Sequence, residues 1–494
     1  MRILKSILVA AALTLAAGTA ANAQRADLVI GMVLEPPHLD PTAGAAAAIK
    51  EVGYGNIFEG LTQIGPNGEV LPSLAASWEI SEDGTVYTFT LVEGATFHDG
   101  APFSADDVKF SLDRARAEDS TNPQKMLFAA IDTVEVVDPK TVEVTLQHPQ
   151  GDFLFKMGWG EAAIVSEASA ATNQENPIGT GPFKFQNWAR GSAITLVRND
   201  DYWGEAPALE RAEFRIVPDA AAAVPALLSG DVQAFSNMPA GDALPQIQGD
   251  ARFEVVVGST EGETILSMNN GREPLSDVRV RQAISHALNR EQIIAGAGTG
   301  GLGTPIGSHF APHHPAYVDL TGTYPNDPEK ARALLAEAGF ADGLSLTLKL
   351  PPPTYAREGG QVVAAQLRNV GIDVEIIPLE WPQWLEQVFT NKDFDLTIIS
   401  HVEPMDIDIY ARDDYYFQYQ SDEFDSVFEE LSVTADEQRR YELYRQAQEI
   451  LANDAANGFL FQLAKVGVWD KRLEGMWENW PLSVAPLGKV RWTE

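Results

Sequence analysis

Hydrophobic residues recur along the chain in the short runs and alternations that are typical of β-strands. Alternation is clearest over residues 78–97, where a turn at 82–84 precedes the run 86–91 and predicts a hairpin. Strands are also predicted at 28–34, 131–137, 141–146, 183–185, 193–198, 265–268, 344–350, 374–379 and 395–400.

Apolar residues at helical spacing predict helices between these strands. Ser104 and Asp107 stand three residues apart, as in a capping box, and should begin a helix that carries Val108, Phe110 and Leu112. Further helices are predicted at 45–60, 220–228, 278–294, 327–339, 359–369 and 436–452. The strand–helix–strand order over 344–379 is typical of a parallel crossover, so the sequence predicts an α/β fold with mixed sheets.

The first 23 residues resemble a secretory signal peptide. Positively charged residues precede an apolar stretch at 7–17, and small residues then end in an A-x-A arrangement. We expect cleavage near Ala23/Gln24. Because export without any cysteine is typical of a bacterial periplasm, we expect the mature protein there.

Composition excludes several classes of function. The chain has 494 residues, which is enough for roughly three domains. Its 70 acidic and 35 basic residues give a net charge of −35, which argues against a nucleic-acid partner. The absence of cysteine excludes disulfides, thiolate chemistry and a lipid-modified cysteine, so we expect no membrane anchor.

No catalytic motif stands out in the chain. The glycine-rich stretch 298–303 follows a predicted helix rather than a strand, which argues against a phosphate-binding loop. His309, His313 and His314 cluster between prolines on a predicted loop, where a metal site would need carboxylates folded against them. The sequence therefore predicts no catalytic residue, no metal site and no cofactor.

A series of motifs gives a specific resemblance. In chain order they are 60–62 (GLT), 72–78 (PSLAASW), 83–91 (DGTVYTFTL), 97–103 (FHDGAPF), 104–108 (SADDV), 179–183 (GTGPF), 198–203 (RNDDYW) and 277–284 (DVRVRQAI). This series resembles the family of extracytoplasmic solute-binding proteins for peptides, opines and nickel, which are the receptors of ATP-driven (ABC) importers. We interpret many of the motifs as structural: 179–182 as a close chain crossing and His98 as a hydrogen-bonded turn residue.

The resemblance implies a two-lobed periplasmic binding protein fold with a hinge and an extra subdomain in the first lobe. Laid on this sequence, the first lobe is 24–56, 183–265 and 476–494. The inserted subdomain is 57–182, and the second lobe is 266–475.

The resemblance also implies where a ligand binds. In peptide-binding relatives an acid after a second-lobe strand holds the ligand's ammonium group, and matching Asp406 to a second acid of that motif puts Glu403 in this role. An arginine at the place of Arg357 holds the ligand's carboxylate in a dipeptide-binding relative. The full set of predicted ligand-binding residues is Glu35, Tyr54, Tyr355, Arg357, Trp381, His401, Glu403, Asp406 and Tyr410.

Two further groups of residues follow the strand predicted at 395–400. Asp408 and Asp406 could equally be turn residues, and the segment 413–416 is expected at the surface.

The implied function is that of a periplasmic, monomeric receptor of an ABC importer. It would capture a small peptide or peptide-like amine or zwitterion and deliver it to a membrane permease, without catalysis. An opine, an oligosaccharide or a metal chelate stays open as the ligand. An exported hydrolase that uses two carboxylates and a chaperone or adhesin-like role also stay open as alternative functions.

Overall fold

The computed structural model describes residues 25–44, 46–239 and 244–493, so the predicted signal peptide and its cleavage site lie outside the described residues. The strands are, in chain order, β1 (Asp27–Met32), β2 (Thr62–Ile64), β3 (Val70–Pro72), β4 (Ala75–Ile80), β5 (Val86–Leu91), β6 (Ile131–Asp138), β7 (Thr141–Leu146), β8 (Phe183–Ala189), β9 (Ala193–Arg198), β10 (Arg211–Ile216), β11 (Ala234–Phe235), β12 (Phe253–Met268), β13 (Thr304–Pro305), β14 (Leu344–Leu350), β15 (Ile372–Pro378), β16 (Leu396–His401), β17 (Gly458–Asp470), β18 (Leu473–Glu474) and β19 (Arg491–Trp492).

Helices alternate with these strands. They are α1 (Ala47–Gly53), α2 (Ala105–Arg116), α3 (Phe153–Lys156), α4 (Ala220–Ser229), α5 (Leu244–Gln248), α6 (Val278–Ala287), α7 (Arg290–Gly296), α8 (Pro328–Glu337), α9 (Thr354–Arg368), α10 (Trp381–Trp384), α11 (Asp422–Val433) and α12 (Glu437–Asn453). In the part of the chain that the structure describes, no helix combines the length and the apolar character needed to cross a membrane.

One sheet runs through most of the molecule. Its strand order is β15-β14-β16-β12-β17-β11-β1-β10-β9-β8, and β13 pairs with β17. β1 is parallel to β10 and β11, and β14 is parallel to β15 and β16, whereas β12 is antiparallel to both of its neighbours. The sheet is therefore mixed, and the parallel pairing of β14 and β15 around α9 confirms the predicted crossover.

Strands β12 and β17 join the two ends of this sheet. Residues 253–259 of β12 pair with β17 close to β11, and residues 263–268 pair with β16 on the other side. The register shifts between Ser259 and Glu263, so a bulge at Glu261 and Gly262 separates the two parts of β12. Side chains at this bulge consequently lie where the two halves of the molecule meet.

Separate hydrophobic cores flank the bulge. Phe183 and Phe214 belong to the core around β1 and β8–β10, and Leu348 and Leu367 belong to the core around β14–β16. A small antiparallel sheet of β4, β5, β7 and β6 packs with α2 around a further core that contains Phe89. The buried residues of the β14–β16 core fall within the predicted second lobe, and those of the small-sheet core fall within the predicted insert. The core around β1 and β8–β10 also takes in Phe58 and Trp469 from the other two ranges, so the lobe boundaries stay predictions.

Several local predictions are confirmed and three are wrong, of which the first is the helix predicted over 45–60, because that helix ends at Gly53. The β4–β5 hairpin forms, and the Ser104 backbone N–H donates to Asp107 Oδ2 at 3.0 Å as a capping box requires. The single helix predicted over 278–294 is two helices, because Asn289 caps α7 by accepting from the Gln292 N–H at 3.0 Å. The strand predicted at 265–268 is only the end of β12, in which the polar and glycine residues 258–264 separate it from the apolar start of the strand.

Candidate functional site

Strand β16 ends beside the bulge of β12. His401 lies opposite Glu263 in the antiparallel register. The chain then reverses at Met405, whose φ is 60°, and continues in a 3₁₀ turn over Asp406–Ala411. This reversal folds Asp406 back towards the end of its own strand.

Asp406 is a buried carboxylate between two imidazoles. Its Oδ1 lies 2.8 Å from His309 Nε2, and its Oδ2 lies 3.4 Å from His401 Nδ1. Burial by itself would raise the pKa of Asp406. The charges and hydrogen bonds of His309 and His401 outweigh burial and hold this pKa well below its ordinary value.

Two more buried acids project from the bulge. Glu261 Oε1 lies 2.7 Å from His313 Nε2, whose ring is held at Nδ1 by Ser259 Oγ at 2.6 Å. Burial raises the pKa of Glu261. Burial also raises the pKa of Glu263 well above its ordinary value, and the nearby charges of Glu261 and Asp406 add to this effect.

These side chains form a single group of facing acids and imidazoles. We call it the bulge cluster, and it consists of Glu261, Glu263, His309, His313, His401 and Asp406. Two tyrosines fix its rings: Tyr410 OH lies 3.4 Å from His309 Nδ1, and Tyr416 OH lies 3.2 Å from His401 Nε2. Asn457 Nδ2 in turn donates to Tyr410 OH at 3.0 Å. The cluster is thus braced from outside by neutral hydrogen-bonding groups.

The predicted acid Glu403 lies at the surface end of this cluster. It is exposed, and its Oε2 accepts a hydrogen bond from the Val402 N–H at 3.2 Å. One of its carboxylate oxygens lies within 4.8 Å of ligand atoms of both His401 and Asp406. His401, Glu403, Asp406 and Tyr410 are therefore brought together.

The neighbouring acids and tyrosines of the same segment differ in their environments. Asp408 pairs with Arg412 at 2.5 Å, and Asp413 and Asp414 are exposed. Tyr416, which was expected at the surface, is 1% exposed. This expectation is wrong because Tyr416 packs against Trp384 and bonds to His401.

Tyr355 and Arg357 lie on α9, and Trp381 begins α10. Tyr355 OH accepts a hydrogen bond from the Ser400 N–H at 3.1 Å. Arg357 Nη2 donates to Glu380 Oε1 at 3.0 Å and to the Leu379 carbonyl at 3.1 Å, while its Nε is buried without a partner. Trp381 is 41% exposed. The guanidinium thus has a protein partner already.

Glu35 and Tyr54 lie outside the bulge cluster and bond to other parts of the chain. Glu35 Oε1 accepts from Trp188 Nε1 at 2.9 Å and from the Gly191 N–H at 2.8 Å, so it fastens the β8–β9 turn. Tyr54 OH donates to the Gly158 carbonyl at 2.8 Å. Tyr54 also lines a cavity of about 290 Å³ whose other described lining residues come from 55–73, 182–205 and 475–489. Neither residue joins the bulge cluster.

Sequence reasoning missed Glu261 and Glu263 and left the histidines without acidic partners. The available signal was the pair of acids around Gly262 directly before an apolar run. His309 and His313 do lie on a loop as predicted, but the fold brings that loop against β12 and against the turn after β16.

Comparisons with known proteins agree with this architecture. HbpA2 from Haemophilus parasuis superimposes with a TM-score of 0.87 at 25% identity, covering 95% of this chain and all of that chain. The dipeptide-binding protein of Escherichia coli (strain K12) is 30% identical over 430 residues, which are 78% of this chain and 80% of the relative. The oligopeptide-binding protein AppA of Bacillus subtilis (strain 168) is 29% identical and covers 92% of this chain and 89% of the relative.

The fold and its relatives define a two-lobed solute-binding protein. Residues 69–453 match the family described as bacterial extracellular solute-binding proteins, family 5 Middle. The chain belongs to this family, which confirms the resemblance seen in its motifs. Members of the family are binding proteins that act outside the cytoplasm.

Proposed function

We propose that this protein captures a small peptide or peptide-like amine between its two lobes and delivers it to the membrane permease of an ABC importer. The observation that carries the proposal is the bulge cluster, which lies where β12 joins the two halves of the sheet. An amine at the mouth of the cluster would meet the exposed carboxylate of Glu403, which lies next to the buried Asp406, and charge-assisted hydrogen bonds are the strong kind. The peptide-binding relatives support the same class of ligand.

We infer that capture depends on closure of the lobes. A ligand that touches both lobes only in the closed form shifts the equilibrium by its differential affinity. Moving the ratio of open to closed protein from 99:1 to 1:99 needs about 5.5 kcal/mol. Contacts between the predicted insert and second lobe already exist, since the Gly151 N–H donates to the Ser432 carbonyl at 2.7 Å.

In this proposal Glu403 anchors the ligand's ammonium group at the mouth of the cluster. Tyr355 and Trp381 border the ligand, and Arg357 binds a ligand carboxylate by exchanging Glu380 for it. Glu35 and Tyr54 would contribute from the first lobe.

We further propose an exported, monomeric protein that works in a periplasm after cleavage near Ala23/Gln24. It would have no catalytic activity of its own. Its net charge of −35 disfavours a nucleic-acid partner.

Calorimetry and thermal shift with ligand-free protein test the amine anchor. Dipeptides and tripeptides should raise the melting temperature, and N-acetylated versions should not. Glu403→Gln should weaken peptide binding by about 10- to 100-fold, because a charge-assisted hydrogen bond is lost. Asp132→Asn removes an exposed charge on β6 and serves as the matched control.

The two parts of the proposal fail separately. If Glu403→Gln keeps the full ligand-induced shift, the anchor is wrong although the receptor role stands. If opines or oligosaccharides bind and peptides do not, the ligand class is wrong. Native mass spectrometry of protein purified from its own periplasm would identify the natural ligand.

A further inference from the structure

Two overlapping groups of metal-ligating side chains meet in the bulge cluster. One ligand atom from each of Glu263, His309 and Asp406 lies within 4.8 Å of the other two, and the same holds for His401, Glu403 and Asp406. The donors come from β12, from the loop after β13, and from the end of β16 with its following turn. They converge only through the fold, since they are distant along the chain.

Within the cluster, Glu263 Oε2 is buried without a hydrogen-bond partner, and Glu263 as a residue is 3% exposed. Asp406 Oδ2 is buried too, and it has only a long ion-pair contact with His401 Nδ1 at 3.4 Å. A buried oxygen that accepts no hydrogen bond costs about 1–3 kcal/mol, and more when it is charged. Ligand atoms of Glu263 and Asp406 also lie within 4.8 Å of each other, so two negative charges there would repel. A cation between these oxygens would remove both costs.

We propose that Glu263, His309 and Asp406, with His401 beside them, hold one divalent transition-metal ion. Imidazole nitrogens with carboxylate oxygens suit Zn²⁺ or Ni²⁺, whereas Mg²⁺ and Ca²⁺ prefer sites made of oxygen alone. This inference goes beyond the capture of a peptide, because the ion is bound by the chain's own side chains.

One pair of donor atoms already has the spacing of ligands around an ion. Ligand atoms that each lie about 2.1 Å from one cation are roughly 3 Å apart when they are neighbours in the coordination shell. The 2.8 Å between His309 Nε2 and Asp406 Oδ1 is close to this spacing. Metal at Nε2 would leave the proton on Nδ1, which faces Tyr410 OH at 3.4 Å and has the outer hydrogen-bond acceptor that metal-binding histidines use.

Entry to the site is provided by Glu403. It is exposed and belongs to the second group of donors, so it connects the buried carboxylates with solvent. Ions would first meet Glu403 and then pass to Asp406 and the buried glutamate.

The test is metal binding by the mature protein, produced without a histidine tag and stripped with EDTA. We expect calorimetry to give about one equivalent of Zn²⁺ or Ni²⁺ and no comparable binding of Mg²⁺ or Ca²⁺. Glu263→Gln and His309→Gln should each weaken binding by at least about tenfold. His286→Gln should not, because this half-buried histidine bonds to the Pro325 carbonyl away from the cluster.

Co²⁺ provides a second readout that needs only the unmodified protein. We expect visible absorption bands of a bound, distorted site when Co²⁺ is added. The proposal is overturned if no stoichiometric binding occurs, if both cluster variants bind as well as wild type, or if Co²⁺ gives only the spectrum of the aqueous ion. Peptide binding measured with EDTA and with Zn²⁺ separates failure of this site from failure of the proposed receptor role.

Discussion

Two regions of this molecule each contain a buried carboxylate and a histidine, and the carboxylates of the two regions have different hydrogen-bond partners. One is the bulge cluster. The other, which we call the motif junction, consists of Glu59, His98, Thr180, Tyr202 and Trp203. Both regions are formed by segments far apart in sequence. They differ in whether the carboxylate oxygens accept hydrogen bonds from neutral donors.

At the motif junction both oxygens of the Glu59 carboxylate accept hydrogen bonds. Its carboxylate accepts hydrogen bonds from Tyr202 OH at 2.7 Å, Thr180 Oγ1 at 2.8 Å and Trp203 Nε1 at 3.0 Å. Burial raises the pKa of Glu59, and these three donors oppose the rise. No second acid faces it in these hydrogen bonds.

In the bulge cluster the acids face one another and Glu263 Oε2 accepts no hydrogen bond. Carboxylate oxygens that lack hydrogen-bond donors are suited to binding a cation. The fully hydrogen-bonded carboxylate of the motif junction is suited to a structural role. The comparison teaches that burial of an acid is not enough to mark a binding site. Whether the buried acid has hydrogen-bond donors distinguishes a binding site from a structural site.

The largest expected contrast is between Glu59→Gln and Glu263→Gln. The first substitution places an amide N–H₂ donor among three other donors, so we expect a loss of about 3 kcal/mol in the free energy of unfolding. At position 263 the replaced oxygen has no hydrogen-bond partner, and burial already favours the uncharged form of Glu263, so the loss should stay below about 1 kcal/mol. Urea unfolding at pH 7 in EDTA measures both. Equal losses would mean that the bulge cluster is structural as well.

The recognised motifs show which part of the structure could be predicted from the sequence. His98, Thr180, Tyr202 and Trp203 lie in motifs that gave the resemblance, and Glu59 directly precedes another. The close crossing predicted at 179–182 is confirmed, because a Cβ on Gly179 would lie 2.0 Å from the Ile57 carbonyl oxygen. The fold was therefore predictable from residues that build it.

The binding region was less predictable for a physical reason. Its donors come from a bulged strand, a loop and a strand end, and no local periodicity relates Glu263 to His309 or Asp406. Likewise, nothing in the sequence pairs Arg357 with Glu380, 23 residues later, rather than with a ligand. Such partners are set by the tertiary fold, and the sequence shows only the residue types.

A contrast of similar size concerns His98 of the motif junction at acid pH. His98 Nε2 lies 3.0 Å from the Gly181 carbonyl oxygen, and burial lowers the pKa of His98 to about 4. The unfolded chain binds this proton near pH 6.5, so between pH 6.5 and 4 it binds more protons than the folded protein. Stability from this group is present above pH 6.5 and is lost as the pH falls, by about 3 kcal/mol in all.

Unfolding of wild type and His98→Gln across this pH range checks the effect. The variant should be less stable at pH 7, and the difference should shrink towards pH 4. A difference that stays constant with pH would contradict a neutral, buried His98. It would also weaken the distinction from the bulge cluster, where imidazoles bond to a carboxylate instead of to a carbonyl.

The smallest effect is expected at the ion pair between Arg357 and Glu380, which belongs to neither buried region. The side chains are 39% and 71% exposed, so Glu380→Gln should cost less than about 1 kcal/mol of stability. If Arg357 exchanges Glu380 for a ligand carboxylate, this variant frees the guanidinium and peptide affinity should rise a few-fold. Arg357→Lys keeps the charge but loses the planar fork, and should lower affinity. Unchanged affinity in both variants would mean that Arg357 does not bind the ligand. A guanidinium that binds the ligand's carboxylate should bind it more tightly once the competing Glu380 carboxylate is removed.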